Sequence, residues 1–248
     1  MNNPPVLHPP VLPTVAILCG GAGTRLREHA QSIPKPLVEI GGRPILWHVI
    51  QIYLAQGFAD FLLLTGFRAE LIEEFIEREP WPAGVRIRCL ETGTETPTGG
   101  RLRHALEAFA ADATVCVTYA DGVADIDLSR LLDDHRRHEA PATMTVVRPE
   151  LPFGVAELNG DGGVRAFQEK PRSEHWINGG FFCFEPSVLR TMNSDDVLER
   201  EPLQRLAASG QLRAFRHEGF WGCMDTYKDA VALNELWATG RAPWKLWT

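Results

Sequence analysis

The chain has 248 residues, 44% of them apolar and 23% charged, with a net charge of −7. That length holds one large domain or two small ones, and the balance excludes disordered, collagen-like and coiled-coil classes for the chain as a whole. The negative charge argues against nucleic acid and anionic membrane as partners, and no apolar run approaches the length of a membrane span.

Residues 1–13 carry five prolines and read as a proline-rich N-terminal extension, ahead of a domain at 14–248. Residues 14–19 are continuously apolar, as a strand buried on both faces would be. Pro44 suits a first helical turn, and Ile45, Leu46, Val49, Tyr53 and Leu54 follow at helical spacing. A strand is predicted at 60–65, a helix at 69–76 and a strand at 85–90. A helix over 99–110 follows, with Thr98 as its N-cap. Another buried strand at 113–119 and a helix at 128–138 complete the first half. This alternation predicts an α/β fold with a parallel, doubly wound sheet.

Further on, residues 142–148, 154–158, 163–168 and 177–184 read as strands, punctuated by Gly and Pro. They are expected to continue the same sheet as mixed strands, with loops closing over a site. Helices at 201–209 and 226–239 finish a single domain. His135 and His138 lie on a polar helix and are expected to be solvated. The tryptophans at 221, 237, 244 and 247 are expected to serve packing. The five cysteines (19, 89, 116, 183, 223) are odd in number and far apart. They predict reduced, buried thiols in a cytoplasmic protein, with Cys19 as filler. No basic-then-apolar leader opens the chain, and no zinc-type spacing occurs.

The sharpest local signal is Gly20-Gly21-Ala22-Gly23-Thr24-Arg25-Leu26, directly after the first strand. Glycines there let backbone N–H groups approach an anion, and Arg25 brings a fork suited to phosphate oxygens. Leu26 stands where a dinucleotide fingerprint needs glycine, and Thr24-Arg25 does not supply a Walker lysine. Further on, Pro34 and Pro36 flank Lys35, presenting its charge from a stiff segment.

The glycine run and the Lys35-Pro36 step together resemble the signature of the nucleoside triphosphate–sugar 1-phosphate nucleotidyltransferases. The resemblance narrows to the glucose-1-phosphate cytidylyltransferases through Thr98-Gly99-Gly100-Arg101-Leu102, Tyr119-Ala120-Asp121-Gly122 and Phe167-Gln168-Glu169-Lys170-Pro171. Ile177-Asn178-Gly179-Gly180 and Gly219-Phe220-Trp221…Met224-Asp225-Thr226 carry it on to the C-terminal region. It implies a Rossmann-like nucleotidyltransferase fold, with a mostly parallel mixed sheet flanked by helices. It also implies the reaction of CTP with α-D-glucose 1-phosphate to give CDP-glucose and pyrophosphate.

By the same resemblance, Arg25, Lys35, Asp121 and Asp225 are catalytic, and Asp121 and Asp225 hold Mg²⁺. Leu18, Gly20, Gly21, Ala22, Gly23, Thr24, Arg25, Lys35, Thr96, Gly100, Arg101 and Ala120 bind the nucleotide. Arg101 is expected to donate to the base. Glu169, Lys170, Asn178 and Gly179 bind the sugar phosphate, and the protein is expected to be a homo-oligomer. Asp125 competes with Asp225 as the second carboxylate, but is expected rather to cap the following helix or support its loop. Ile33 and Ala120 depart from the pattern, where lysine and glycine are usual, and the stretch from 77 to 85 is shortened. Two other readings stay open: another sugar 1-phosphate (a heptose or modified hexose) or base (UTP, dTTP, GTP), and a non-catalytic nucleotide-sugar-binding regulatory homologue.

Overall fold

The computed structural model describes residues 12–21, 23, 33–110 and 113–247. Strand β1 (Val15–Leu18) is followed by the short β2 (Glu39–Ile40) and β3 (Arg43–Pro44), which lead into helix α1 (Ile45–Leu54). Then come β4 (Asp60–Thr65), α2 (Ala69–Arg78), β5 (Arg86–Glu91) and α3 (Thr98–His104). The middle of the chain forms β6 (Val115–Tyr119), β7 (Gly122–Ala124), α4 (Leu128–His138) and β8 (Ala142–Val147). A hairpin of β9 (Val155–Leu158) and β10 (Val164–Gln168) precedes the long β11 (Ile177–Phe184). Helices α5 (Pro186–Arg190) and α6 (Glu201–Ala208), strands β12 (Leu212–Arg216) and β13 (Trp221–Cys223), and helix α7 (Tyr227–Ala238) complete the fold.

Among the described residues, seven strands form one sheet in the order β12-β8-β11-β6-β1-β4-β5. Every neighbouring pair is parallel except those made by β11, which runs against both β6 and β8. Alternation along the central strands explains why their sequences are apolar throughout. Val15, Ile17, Phe61 and Leu63 enter the core on one face, and Ala16, Leu18, Leu62 and Leu64 enter the core on the other. Full burial of each large aliphatic chain is worth about 1.5–3 kcal/mol, so both faces must be covered by helices for these strands to be stable.

Several expectations are corrected. The β9–β10 hairpin is a separate two-stranded sheet, not a continuation of the main one. Helix α3 stops at His104 and Pro97 precedes it; the Thr98 hydroxyl donates to Glu199 and caps nothing. Asp127, not Asp125, caps α4, accepting from Arg130 N at 2.9 Å, while Asp125 Oδ1 lies 3.0 Å from His217 Nε2. His135 is buried between Thr143 and Glu185 because it shares the inward stripe of α4 with Leu128, Leu131 and Leu132. His138 lies near the surface, 3.4 Å from Asp134.

The tryptophans at 237, 244 and 247 gather, with Trp47, around a fully buried His48. His48 Nε2 is 2.8 Å from the Ile40 carbonyl, and Nδ1 accepts from the Trp244 indole at 3.3 Å. That pairing needs a neutral ring carrying its proton on Nε2. Burial pushes the imidazole down to about 4. An unfolded histidine binds its proton near pH 6.5, so the unfolded state gains protons first as pH falls. Stability should therefore drop between about pH 6.5 and 4, by on the order of 3 kcal/mol. Urea unfolding followed by tryptophan fluorescence at pH 7 and 4.5 should show this loss in the wild type and a clearly smaller one in His48→Gln. Parallel losses in both would remove His48 as the source.

Candidate active site

The chain adds β4 and β5 on one side of β1, then returns to place β6 on the other. A crevice opens at such a reversal, beyond the C-terminal ends of the two central strands. Here it is a cleft of about 460 Å³. Of the residues expected to bind nucleotide, Leu18, Gly20, Gly21, Gly23, Lys35, Thr96, Arg101 and Ala120 line it, together with Asp121. Ala22, Thr24 and Arg25 fall outside the described residues.

Asp121 ends the turn after β6, and Asp225 lies far along the chain. A small ladder unites them. β7 starts immediately after Asp121, β13 ends just before Met224, and the two pair antiparallel with Cys223 opposite Gly122. Met224 N then donates to the Asp121 carbonyl at 2.9 Å. The start of α7 fixes the second carboxylate from behind: Asp229 accepts from the backbone N–H groups of Asp225 and Thr226 at 3.1 and 2.7 Å, within a capping box.

Lys35 stands between the two carboxylates. Its Nζ lies 2.5 Å from Asp121 Oδ2 and 2.7 Å from Asp225 Oδ1. The single turn from Lys35 to Leu37, closed by Leu37 N on the Pro34 carbonyl at 2.9 Å, presents it there. Burial alone would lower the Lys35 pKa; the two carboxylates outweigh it and hold the ammonium above its usual value. Ligand atoms of Asp121, Cys223 and Asp225 all lie within 4.8 Å of one another. The carboxylates already bracket one cation, and hard oxygens at this separation fit a divalent ion such as Mg²⁺. Burial pushes the Cys223 thiol up, keeping it protonated and a poor partner for a hard ion.

Arg101 lines the cleft as part of its wall. It is buried, and its terminal nitrogens donate to the carbonyls of Gly20, Thr65, Gly93 and Thr94 and to Thr92 Oγ1, at 2.6–3.3 Å. It clamps the walls of the cleft, and the donors expected to meet a base are already engaged. The clamp also explains Gly20: a Cβ there would fall 1.9 Å from Arg101 Nη1. Gly100 does not line the cleft and packs closely on the loop at 194, where a Cβ would approach the Ser194 carbonyl to 2.1 Å.

The residues expected to hold a sugar phosphate are less gathered. Glu169 and Lys170 are exposed after β10 and do not line the cleft. Asn178 donates to the Tyr119 hydroxyl at 3.2 Å and accepts from Gly180 N at 2.9 Å. The Gly179 carbonyl accepts the Trp221 indole N–H at 2.8 Å. Tyr119 and Glu199, which the sequence reading did not single out, both line the cleft and bond to each other. The one available signal was the position of Tyr119, two residues before Asp121. All five cysteines are free thiols; Cys19, Cys116 and Cys183 are buried and Cys89 and Cys223 half-buried. Among the described residues, no helix is long and apolar enough to cross a membrane.

A family profile described as Nucleotidyl transferase matches residues 14–221. A glucose-1-phosphate cytidylyltransferase of Salmonella typhimurium is 40% identical across 93% of this chain and 98% of its own length. A probable glucose-1-phosphate cytidylyltransferase of Bacillus subtilis is 39% identical with the same coverage. Among solved structures, HddC from Yersinia pseudotuberculosis superposes with a TM-score of 0.72 over 91% of this chain and all of its own, at 22% identity. That last likeness speaks for the fold alone.

Proposed function

Because the chain belongs to the nucleotidyl transferase family, we propose that it makes CDP-glucose and pyrophosphate from CTP and α-D-glucose 1-phosphate. The observation that carries this reading is the Asp121–Lys35–Asp225 cluster at the mouth of the switch-point cleft. The 40% identity to cytidylyltransferases along nearly the whole chain supports the choice of substrates.

In this mechanism an oxygen of the sugar phosphate attacks the α-phosphorus of CTP. The new P–O bond forms as the bond to the β-phosphate oxygen breaks, and pyrophosphate leaves opposite the attack. No side chain has to act as nucleophile, so the protein supplies position and charge. Asp121 and Asp225 would hold Mg²⁺, which when bound would neutralise phosphate oxygens. Lys35 turns from the carboxylates onto the transferring phosphoryl group. Backbone N–H groups of Gly20, Gly21 and Gly23 receive the triphosphate, and Arg25, outside the described residues, adds its charge to it. Thr96 and the Arg101-clamped loop form the base pocket. Asn178 and Gly179, with Glu169 and Lys170 from the exposed segment after β10, meet the sugar phosphate. The exposed Phe153, Leu158, Val164 and Phe167 on and beside the β9–β10 hairpin favour assembly of several copies.

The test is pyrophosphate release from the purified chain, with CTP, UTP, dTTP, GTP and ATP crossed against a set of sugar 1-phosphates. CTP with glucose 1-phosphate should give the highest kcat/KM. Preference for another base or sugar would overturn the substrate assignment but keep the reaction type. No turnover on any pair would overturn the reaction itself.

A further inference from the structure

Four side chains make a continuous polar chain from the wall of the nucleotide cleft to Asn178. The Thr98 hydroxyl donates to one carboxylate oxygen of Glu199 at 2.7 Å, and the Tyr119 hydroxyl donates to the other at 2.5 Å. Asn178 Nδ2 donates to the Tyr119 oxygen at 3.2 Å, and Asn178 Oδ1 accepts from Gly180 N at 2.9 Å. The elements joined are the first residue of α3, the loop before α6, the end of β6 and the start of β11. The register of β11 shifts between Asn178 and Phe182, and this brings Gly180 N back onto the Asn178 side chain.

The direction of every bond in this chain is dictated from one end. A carboxylate only accepts, so both hydroxyl protons must point at Glu199. The Tyr119 oxygen then offers only lone pairs to its other neighbour. What faces it must be a donor, the amide NH₂ of Asn178 and not the amide oxygen. The Gly180 N–H demands the same orientation independently, because it needs the oxygen. With both ends satisfied, Asn178 is left with one outward N–H and one oxygen lone pair in fixed places.

We propose that Glu199 and Tyr119 are positioning residues for the sugar 1-phosphate, which together with the Gly180 N–H hold Asn178 in the place and orientation with which it meets a sugar hydroxyl. This rests on the reading above, in which Asn178 belongs to the sugar site. Neither residue need touch the sugar. Replacing Glu199 with glutamine removes the one-way rule: an amide NH₂ can face the phenol and turn its proton toward the Asn178 NH₂, so that Asn178 can no longer satisfy Tyr119 and Gly180 together. Replacing Tyr119 with phenylalanine breaks the chain at its middle.

Steady-state kinetics, run with the sugar 1-phosphate and nucleotide that the substrate panel selects, tests this. Tyr119→Phe and Glu199→Gln should each raise KM for the sugar phosphate roughly tenfold, the scale of one misdirected hydrogen bond. KM for the nucleotide and kcat should stay within about twofold, a split that general loosening of the fold would not give. The double variant Tyr119→Phe/Glu199→Gln should be no worse than Tyr119→Phe alone, because one chain is cut twice. In an Asn178→Ala background, Glu199→Gln should have no further effect on that KM. Additive losses, or a rise in nucleotide KM in place of the sugar KM, would overturn the relay. An active wild type whose two variants keep normal sugar KM would overturn the relay and leave the reaction standing. A wild type inactive on every pair would overturn both.

Discussion

Asp121→Asn and Asp225→Asn should each lower kcat by about 10²–10³-fold, the scale on which one preorganised electrostatic partner of a transition state counts. The fold should survive both changes. It is the backbone carbonyl of Asp121, not its carboxylate, that accepts from Met224 N and holds the β7–β13 ladder. Asp225 is anchored through its own N–H on Asp229, which the substitution also leaves alone. Neutralising either carboxylate removes one of the two negative charges that would hold the ion and that pair with Lys35, leaving only a weaker neutral amide oxygen. Binding of Mn²⁺ to the apo-protein, followed by electron paramagnetic resonance, should weaken alongside kcat, while circular dichroism and unfolding midpoint stay near wild type. A folded Asp121→Asn variant with wild-type turnover and Mn²⁺ affinity would remove that residue from the site.

The parts of this site that were legible in the sequence are those carried by contiguous chain. β1 and β6 could be read because strands buried on both faces must be apolar throughout, and Asp121 could be placed because it follows such a strand directly. β7 and β13 were not legible: each is three residues long, too short for periodicity to show, yet their pairing is what brings Asp225 to Asp121. His135 was misjudged from its polar neighbours, although its place three residues after Leu132 already put it on the inward stripe of α4. Glu199 is an acidic residue in a polar stretch, and nothing local sets it apart. Its partners Thr98 and Tyr119 are 101 and 80 positions away.

Arg101, expected to donate to the base, is bonded to the walls of the cleft, and its removal should be the most damaging change away from the carboxylates. Its two terminal nitrogens tie together three stretches of chain: Gly20 after β1, Thr65 at the end of β4, and 92–94 after β5. Hydrogen bonds from a charged donor are worth about 1.5–3 kcal/mol each, but the cleft beside Arg101 lets water reach some of the abandoned carbonyls. A net loss of roughly 2–4 kcal/mol follows for Arg101→Ala, which in a chain of this size lowers Tm by roughly 5–12 °C. The loosened walls are those of the nucleotide pocket, so KM for every nucleotide should rise by about tenfold or more, with the order of preference among bases little changed. Arg101→Lys should recover only part of this, because a single ammonium cannot bridge three segments as a planar fork does. The alternative is a guanidinium that reads the base directly. It makes the opposite forecast: a Tm near wild type, a selective loss for CTP and a collapse of the ranking between CTP and UTP. Thermal unfolding and competition kinetics on the same Arg101→Ala preparation separate the two, since a clamp must move both quantities and a base reader only the second.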